Sequence, residues 1–252
     1  MNRRAALAIA ALLAAEANQA HAQTEDVLAD KKFRLVLNGA FGTRTLDFSE
    51  SRKFTEFVEQ TTLEARYQDK PGPGFDVGVQ YNVVRHFGVL ASFSAMSGDG
   101  SASYSAALPH PLYFNQPRRV SGSIDGLKYK EAGGHLDLVG SGASGALEFA
   151  AFAGATFFNV QVDLAEAIHY TQSYPYDSVT ITGVPAKQFS DSPIGFNVGG
   201  RLDYGFGQAR RFGVGVQARF SRASVKLVPS EGNSLTFDVG GIQLGAGLRV
   251  AF

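Results

Sequence analysis

Few side chains in this 252-residue chain are equipped for chemistry. There are five histidines (His21, His86, His110, His135 and His169) and 0 cysteines. In the run KEAGGHLDLVG, His135 and Asp137 stand two apart and share one face of an extended chain, with Glu131 farther along that face. A histidine between carboxylates is the raw material of an acid–base pair or a metal site. No H-E-x-x-H, Cys/His ligand set, G-x-S-x-G or phosphate-loop motif accompanies it. Without a nucleophile nearby, the trio reads as part of a hydrogen-bond network, and the sequence calls for no enzyme, no cofactor and no metal. The glycine-rich GGIQLGAG at 240–247 has no helix pattern after it, so it is not read as a phosphate cradle.

The elements that must position these groups are strands. Period-2 alternation of apolar and polar or small residues runs through 33–42, 75–83, 87–95, 130–139, 147–157, 194–206, 212–221 and 235–252. In the last of these, Ile242, Leu244, Ala246, Leu248, Val250 and Phe252 alternate with Gly241, Gln243, Gly245, Gly247, Arg249 and Ala251. The 147–157 stretch is the least regular, because Phe152, and Phe158 just beyond it, would point to the polar side. The polar faces carry Arg34, Asp76, Glu131, His135, Asp137, Glu148, Arg201, Asp203, Arg219 and Arg249. Their signs nearly balance, so they are expected to pair as a charge network inside a closed sheet, where an unpaired charge is costly.

Short turns at 84–86, 140–145 and 207–211 alternate with longer connections at 43–74, 97–129, 160–193 and 226–234. Within 43–74, residues 54–67 read as a hairpin arm above the membrane, interrupted by Pro71-Gly72-Pro73-Gly74. Counting that arm as membrane strands would give ten strands and reverse the sides of the loops, so eight is preferred. Two connections hold proline and aromatics at unusual density: PHPLYFNQPR at 109–118 and YPYD at 174–177. His110, Tyr113, Phe114, Arg118, Tyr174, Tyr176 and Asp177 there form either a packed lid or an extracellular recognition surface.

At the N-terminus, Arg3 and Arg4 precede the apolar run Ala5 to Ala15 and the small-x-small site Ala20-His21-Ala22. This reads as a signal peptide over 1–22, with a single barrel domain over 23–252. The formal net charge is +0, which leaves no field to attract nucleic acid. No apolar run after residue 22 has the length of a membrane helix, so a membrane-spanning mature chain must be a closed barrel. A soluble eight-stranded barrel such as a lipocalin shows the same alternation. The abundance of glycine on the polar faces (29 Gly in the chain) and the aromatics near strand ends, Phe75, Phe87, Phe206, Phe212 and Phe252, favour a lumen inside and lipid outside.

The alternating last strand ending on Phe252 resembles the C-terminal signal strand that the barrel-assembly machinery of the bacterial outer membrane reads. Together with the signal segment and strand series, the chain resembles the OmpA/OmpW-like outer-membrane β-barrel family of Gram-negative bacteria. That resemblance implies an all-β, eight-stranded antiparallel up-and-down transmembrane β-barrel with long extracellular loops, in the cell outer membrane. It implies outer-membrane lipid and the assembly machinery as partners, alongside an unspecified extracellular ligand. The expected role is non-enzymatic, structural or surface-binding. A narrow channel or carrier for small or apolar solutes and a secreted ligand-binding barrel are the alternatives. Outer-membrane lipid A deacylases carry a His-Ser-Glu set on the lipid side. Here His135 falls on the inward face with no H-x-S after it, so that resemblance does not extend to this chain.

Overall fold

A computed structural model describes residues 31–70, 72–207, 210–230 and 233–252. The segment read as a signal peptide, 1–22, lies outside the described residues, as does the lead-in to residue 30. The strands are β1 (Phe33–Gly42), β2 (Leu46–Glu56), β3 (Glu59–Asp69), β4 (Pro73–Val84), β5 (Phe87–Leu108), β6 (Arg118–Ser144) and β7 (Leu147–Ala165). They continue with β8 (His169–Thr171), β9 (Thr180–Gly183), β10 (Ala186–Asp191), β11 (Ile194–Phe206), β12 (Phe212–Ser230) and β13 (Asn233–Ala251). Among the described residues no helix is long and apolar enough to cross a membrane.

Eight of these strands close a ring. β1 pairs with β4, then β5, β6, β7, β11, β12 and β13 follow, and β13 returns to β1 with Leu37 opposite Leu248. Every pairing is antiparallel, so no backbone edge is left open to lipid. The outward faces at this level expose a band of large apolar side chains, including Leu138 at 74% and Ile194 at 69% of full exposure. Aromatics gather at its two rims. Phe33, Tyr81, Phe87, Tyr204, Phe206, Phe212 and Phe252 lie at the end near the chain terminus, with Phe33 and Tyr81 rings 5.0 Å apart. Phe41, Phe75, Phe93, Phe157, Phe196 and Phe220 lie at the other. A water-soluble surface does not carry a belt of this extent. It is the lipid-facing girdle of a transmembrane barrel, and Phe87 to Ala95 or Ile242 to Val250 supplies the run of about nine residues that a tilted strand needs to cross.

Above the band the barrel continues as a second tier, and the two faces exchange polarity. Along β7 the outward residues run Phe149, Ala151, Ala153, Ala155, Phe157 and then Asn159, Gln161, Asp163. The inward ones run Glu148, Ala150, Phe152, Gly154, Thr156 and then Phe158, Val160, Val162, Leu164. The long connections expected at 97–129, 160–193 and 226–234 are therefore mostly strand; the first shrinks to the loop 109–117, and 166–185 carries the short β8–β9 pair. The hairpin arm expected at 54–67 is β2–β3, with Leu46 paired to Asp69; β3 pairs in turn with the upper half of β5. β10 lies against the upper half of β7. At this height an apolar core fills the interior: Phe48 stacks between Tyr67 (4.9 Å) and Phe237 (4.4 Å), beside Leu63, Tyr129, Leu164 and Val225. From Ser97 to Leu108 the tier rises on the order of 25–30 Å above the band.

Candidate functional site

The inward residues of the membrane ring form stacked layers of polar pairs. At the end near the terminus, Arg34 of β1 grips Glu148 of β7 with both terminal guanidinium nitrogens. One layer up, Arg201 donates to Asp203 (2.6 Å), and Asp203 also faces Arg249 (2.9 Å). Arg201 reaches Gln80 at 2.7 Å, and Arg249 reaches Asn38 at 2.7 Å. Asn38 in turn donates to Asp76, which accepts from Arg219 at 2.6 Å. The Arg219 guanidinium lies over the Phe152 ring at 5.2 Å and donates to Ser92 at 2.8 Å. Asn197 donates to Asp137 (2.7 Å) and to Thr156 (3.0 Å). The two ring nitrogens of His135 meet Thr156 and Ser94, each at 2.9 Å. The ten lumen residues named from the sequence are all buried. Seven of them join into one network, and Arg34 and Glu148 form a pair of their own beneath it. Glu131 stands apart at the junction of the tiers, accepting from the Tyr129 hydroxyl and the Gly240 amide.

The neutral members, Asn38, Gln80, Ser92, Ser94, Thr156, Asn197 and Gln217, escaped the charge-based list. Their parity on the same inward faces was the available signal. They supply the hydrogen bonds that let four arginines and four carboxylates coexist out of bulk water. The Ser94–His135 contact has the distance of a nucleophile–base pair, but the His135 partner on the other side is a threonine hydroxyl and the group is enclosed within the wall.

The extracellular tier holds polar groups of its own. Arg52 pairs with Glu50, which also accepts from the Tyr67 hydroxyl (3.3 Å). Tyr67 accepts from the Ala165 amide at 2.9 Å; burial first, and then the Glu50 charge, holds its phenol above the ordinary value. Burial and a hydrogen bond to Glu56 push the Tyr170 phenol up to about 12. Asp69 is 1% exposed with both carboxylate oxygens unpartnered, and burial followed by the charge of Asp163 pushes it up to about 6.

At the tip, the two proline- and aromatic-rich runs meet. The Arg118 guanidinium bonds the Pro109 carbonyl, Gln172 and the Tyr176 carbonyl, clamping 109–118 to 172–176. The Nδ1 of His110 accepts from the amides of Leu112 (3.1 Å) and Tyr113 (3.2 Å). Its ring packs on Tyr113 (4.8 Å) and meets Tyr176 edge-on at 6.5 Å. Asp177 stands 3.8 Å from its other nitrogen. Phe114 (72%) and Tyr174 (80%) face solvent. Beside them, the β2–β3 turn exposes Val58 (88%) at φ 68 and Phe57 at φ 46, backbone that a β-branched residue adopts only under constraint. The runs thus supply both a packed lid and an exposed aromatic crown.

No family model matches the chain, and no curated protein does. Among solved structures, it is similar to the outer membrane protein OprG of Pseudomonas aeruginosa: 11% identity over 88% of this chain and 96% of that one, TM-score 0.52. Fainter likenesses are to Ail of Yersinia pestis (13% identity, 87% and 98% covered, TM-score 0.38) and the protease OmpT of Escherichia coli (12%, 92% and 99%, TM-score 0.43). The ring closure, the apolar girdle and the match to OprG agree: this chain has the fold of an eight-stranded outer-membrane β-barrel.

Proposed function

We propose that this chain is a non-enzymatic outer-membrane scaffold that holds a rigid extracellular tier and presents its aromatic crown as a binding surface. The observation that carries this reading is that the interior is filled at both heights. Arg34–Glu148, Arg201–Asp203–Arg249 and Arg219–Asp76 occupy the membrane lumen, and Phe48, Tyr67, Phe237 and Leu164 occupy the tier above it. A ring of eight strands is just wide enough for side chains, so ions meet paired charges below and a dry core above. On this reading, the partners are outer-membrane lipid, the barrel-assembly machinery and a ligand outside the cell. The test is planar-bilayer recording of the refolded protein. A closed scaffold gives no steady ionic steps, and a reproducible unitary conductance would overturn the reading in favour of a narrow channel.

A further inference from the structure

The wall of the barrel bears a groove of about 350 Å³ where the apolar band meets the extracellular tier, on the outer faces of β4 to β7. Its floor is Ala95 and Ala132, directly opposite each other on β5 and β6. One step into the band, Gly134 lies between Phe93 and Phe157 in register, and a Cβ built on it would touch nothing within 4 Å. Strands two apart are separated by about 10 Å, so the two exposed rings flank an open trough about one hydrocarbon chain wide. Phe75, 6.1 Å from Phe93, extends that wall upward.

The rim of the groove is polar and carries a positive charge. Lys130 is exposed and sits opposite Ser97 and Gln161. Among the described residues its ammonium has no ion pair or hydrogen bond, whereas the next outward lysine on β6, Lys128, is tied to Asp99 at 2.7 Å. The other rim groups are amides: Gln161 bonds Asn159, and Asn159 bonds Ser192. Glu131 contributes to the lining, but its carboxylate is turned inward onto Tyr129 and Gly240. An unpaired cation with neutral donors above an apolar trough complements a molecule that is anionic at one end and hydrocarbon below it.

We infer that this groove seats one anionic, phosphate-bearing lipid of the outer leaflet, its phosphate at Lys130 and one acyl chain over Gly134. The inference needs only the membrane barrel, and it stands whether or not the lumen conducts. Native mass spectrometry of the refolded protein in detergent, titrated with dioleoylphosphatidylglycerol, tests it. The expected result is a single saturable adduct retained at least about fivefold better than dioleoylphosphatidylcholine, the worth of one lysine facing an uncompensated anionic headgroup. Lys130→Gln should abolish that preference, and Gly134→Leu, which fills the trough on an open face, should weaken retention of both lipids. Strand content by circular dichroism checks that both variants fold. Equal retention of the two lipids by the wild type, a preference surviving in folded Lys130→Gln, or unsaturated stepwise addition would overturn the seat. Inorganic phosphate displacing the lipid at equal concentration would also overturn it, because the trough would then contribute nothing.

Discussion

Replacing Asp69 with asparagine tests how the extracellular tier is held together. Asp69 ends β3, opposite Leu46 on β2 and Gly100 on β5, and its carboxylate lies so close over Gly100 that a side chain there would collide with it. Neither oxygen has a partner, and the side chain is buried. Burial and then Asp163 raise its pKa from 3.8 to about 6. The sign follows from linkage: the fold binds this proton more tightly than the unfolded chain does, so the ionised group works against the fold. The cost is fully present above about pH 6, shrinks as pH falls through that value, and is gone below about 3.8. The full difference corresponds to about 3 kcal/mol, and allowing for screening by water at the tier surface leaves about 2 kcal/mol. Asp69→Asn keeps the shape and removes the charge. Urea unfolding in detergent micelles, read by tyrosine fluorescence, should therefore show the variant more stable than the wild type by about 2 kcal/mol at pH 8, with the gap closing by pH 4. Hydrogen exchange at the β3 amides should report the same gap if the tier opens before the membrane ring. A variant no more stable at pH 8, or a gap that does not change with pH, would refute the argument.

Two further substitutions test the assignment of faces and the lumen pairing. Lysine at Val214, on the lipid side of β12, should cost roughly 2–4 kcal/mol in refolding into bilayers, and lysine at Gln217, whose amide faces Asp76 in the lumen, clearly less; equal losses would mean the faces are misassigned. Glu148→Gln leaves Arg34 buried without its countercharge and should cost up to about 3 kcal/mol by urea unfolding, while the double variant with Arg34→Met should recover most of that loss, and failure to recover would show that the pair is not the source of the cost.

The membrane ring was legible in the sequence because lipid imposes one rule on every strand. Phe87, Val89, Ala91 and Phe93 could be read without knowing their neighbours, and so could the charges between such residues on other strands. The upper tier was not legible, for two physical reasons. Its rule is opposite in sign, so Leu127, Tyr129, Val160 and Val162 turn inward while Ser101, Ser103, Ser105 and Asn159 turn out, and a search for apolar outward faces passes over them. β6 also carries a bulge: Leu127 pairs with Gly100 and Asp125 with Ser101, leaving Gly126 at φ 76 as the extra residue. Beyond it the inward parity moves from odd to even numbers, so that Val120 and Ile124 pack on the core. A single alternating template cannot span that shift. The docking of 109–118 onto 172–176 was illegible for a different reason, since Arg118 finds Gln172 and the Tyr176 carbonyl, both more than fifty residues away, only once β6 and β7 are side by side.

The exchange of polarity between tiers follows from what lies outside each one. Around the membrane ring the solvent is hydrocarbon, as apolar as leucine, so burying a leucine in the lumen would gain almost nothing over leaving it against lipid. What can hold opposite walls together there is pairing that lipid cannot replace, and Arg34–Glu148, Arg219–Asp76 and Arg201–Asp203–Arg249 each tie residues that the chain brings from distant strands or adjoining layers. Around the upper tier the solvent is water, and the ordinary hydrophobic drive returns, so Phe48, Tyr67 and Phe237 can stack across a seam where β2 and β13 share no backbone pairing. Glu131 and Tyr129 sit where the rules change, which explains why Glu131 leaves the charge network and bonds a phenol from the upper core. The groove at Lys130 lies at the same height on the outside, because that is where an apolar wall first meets a charged one.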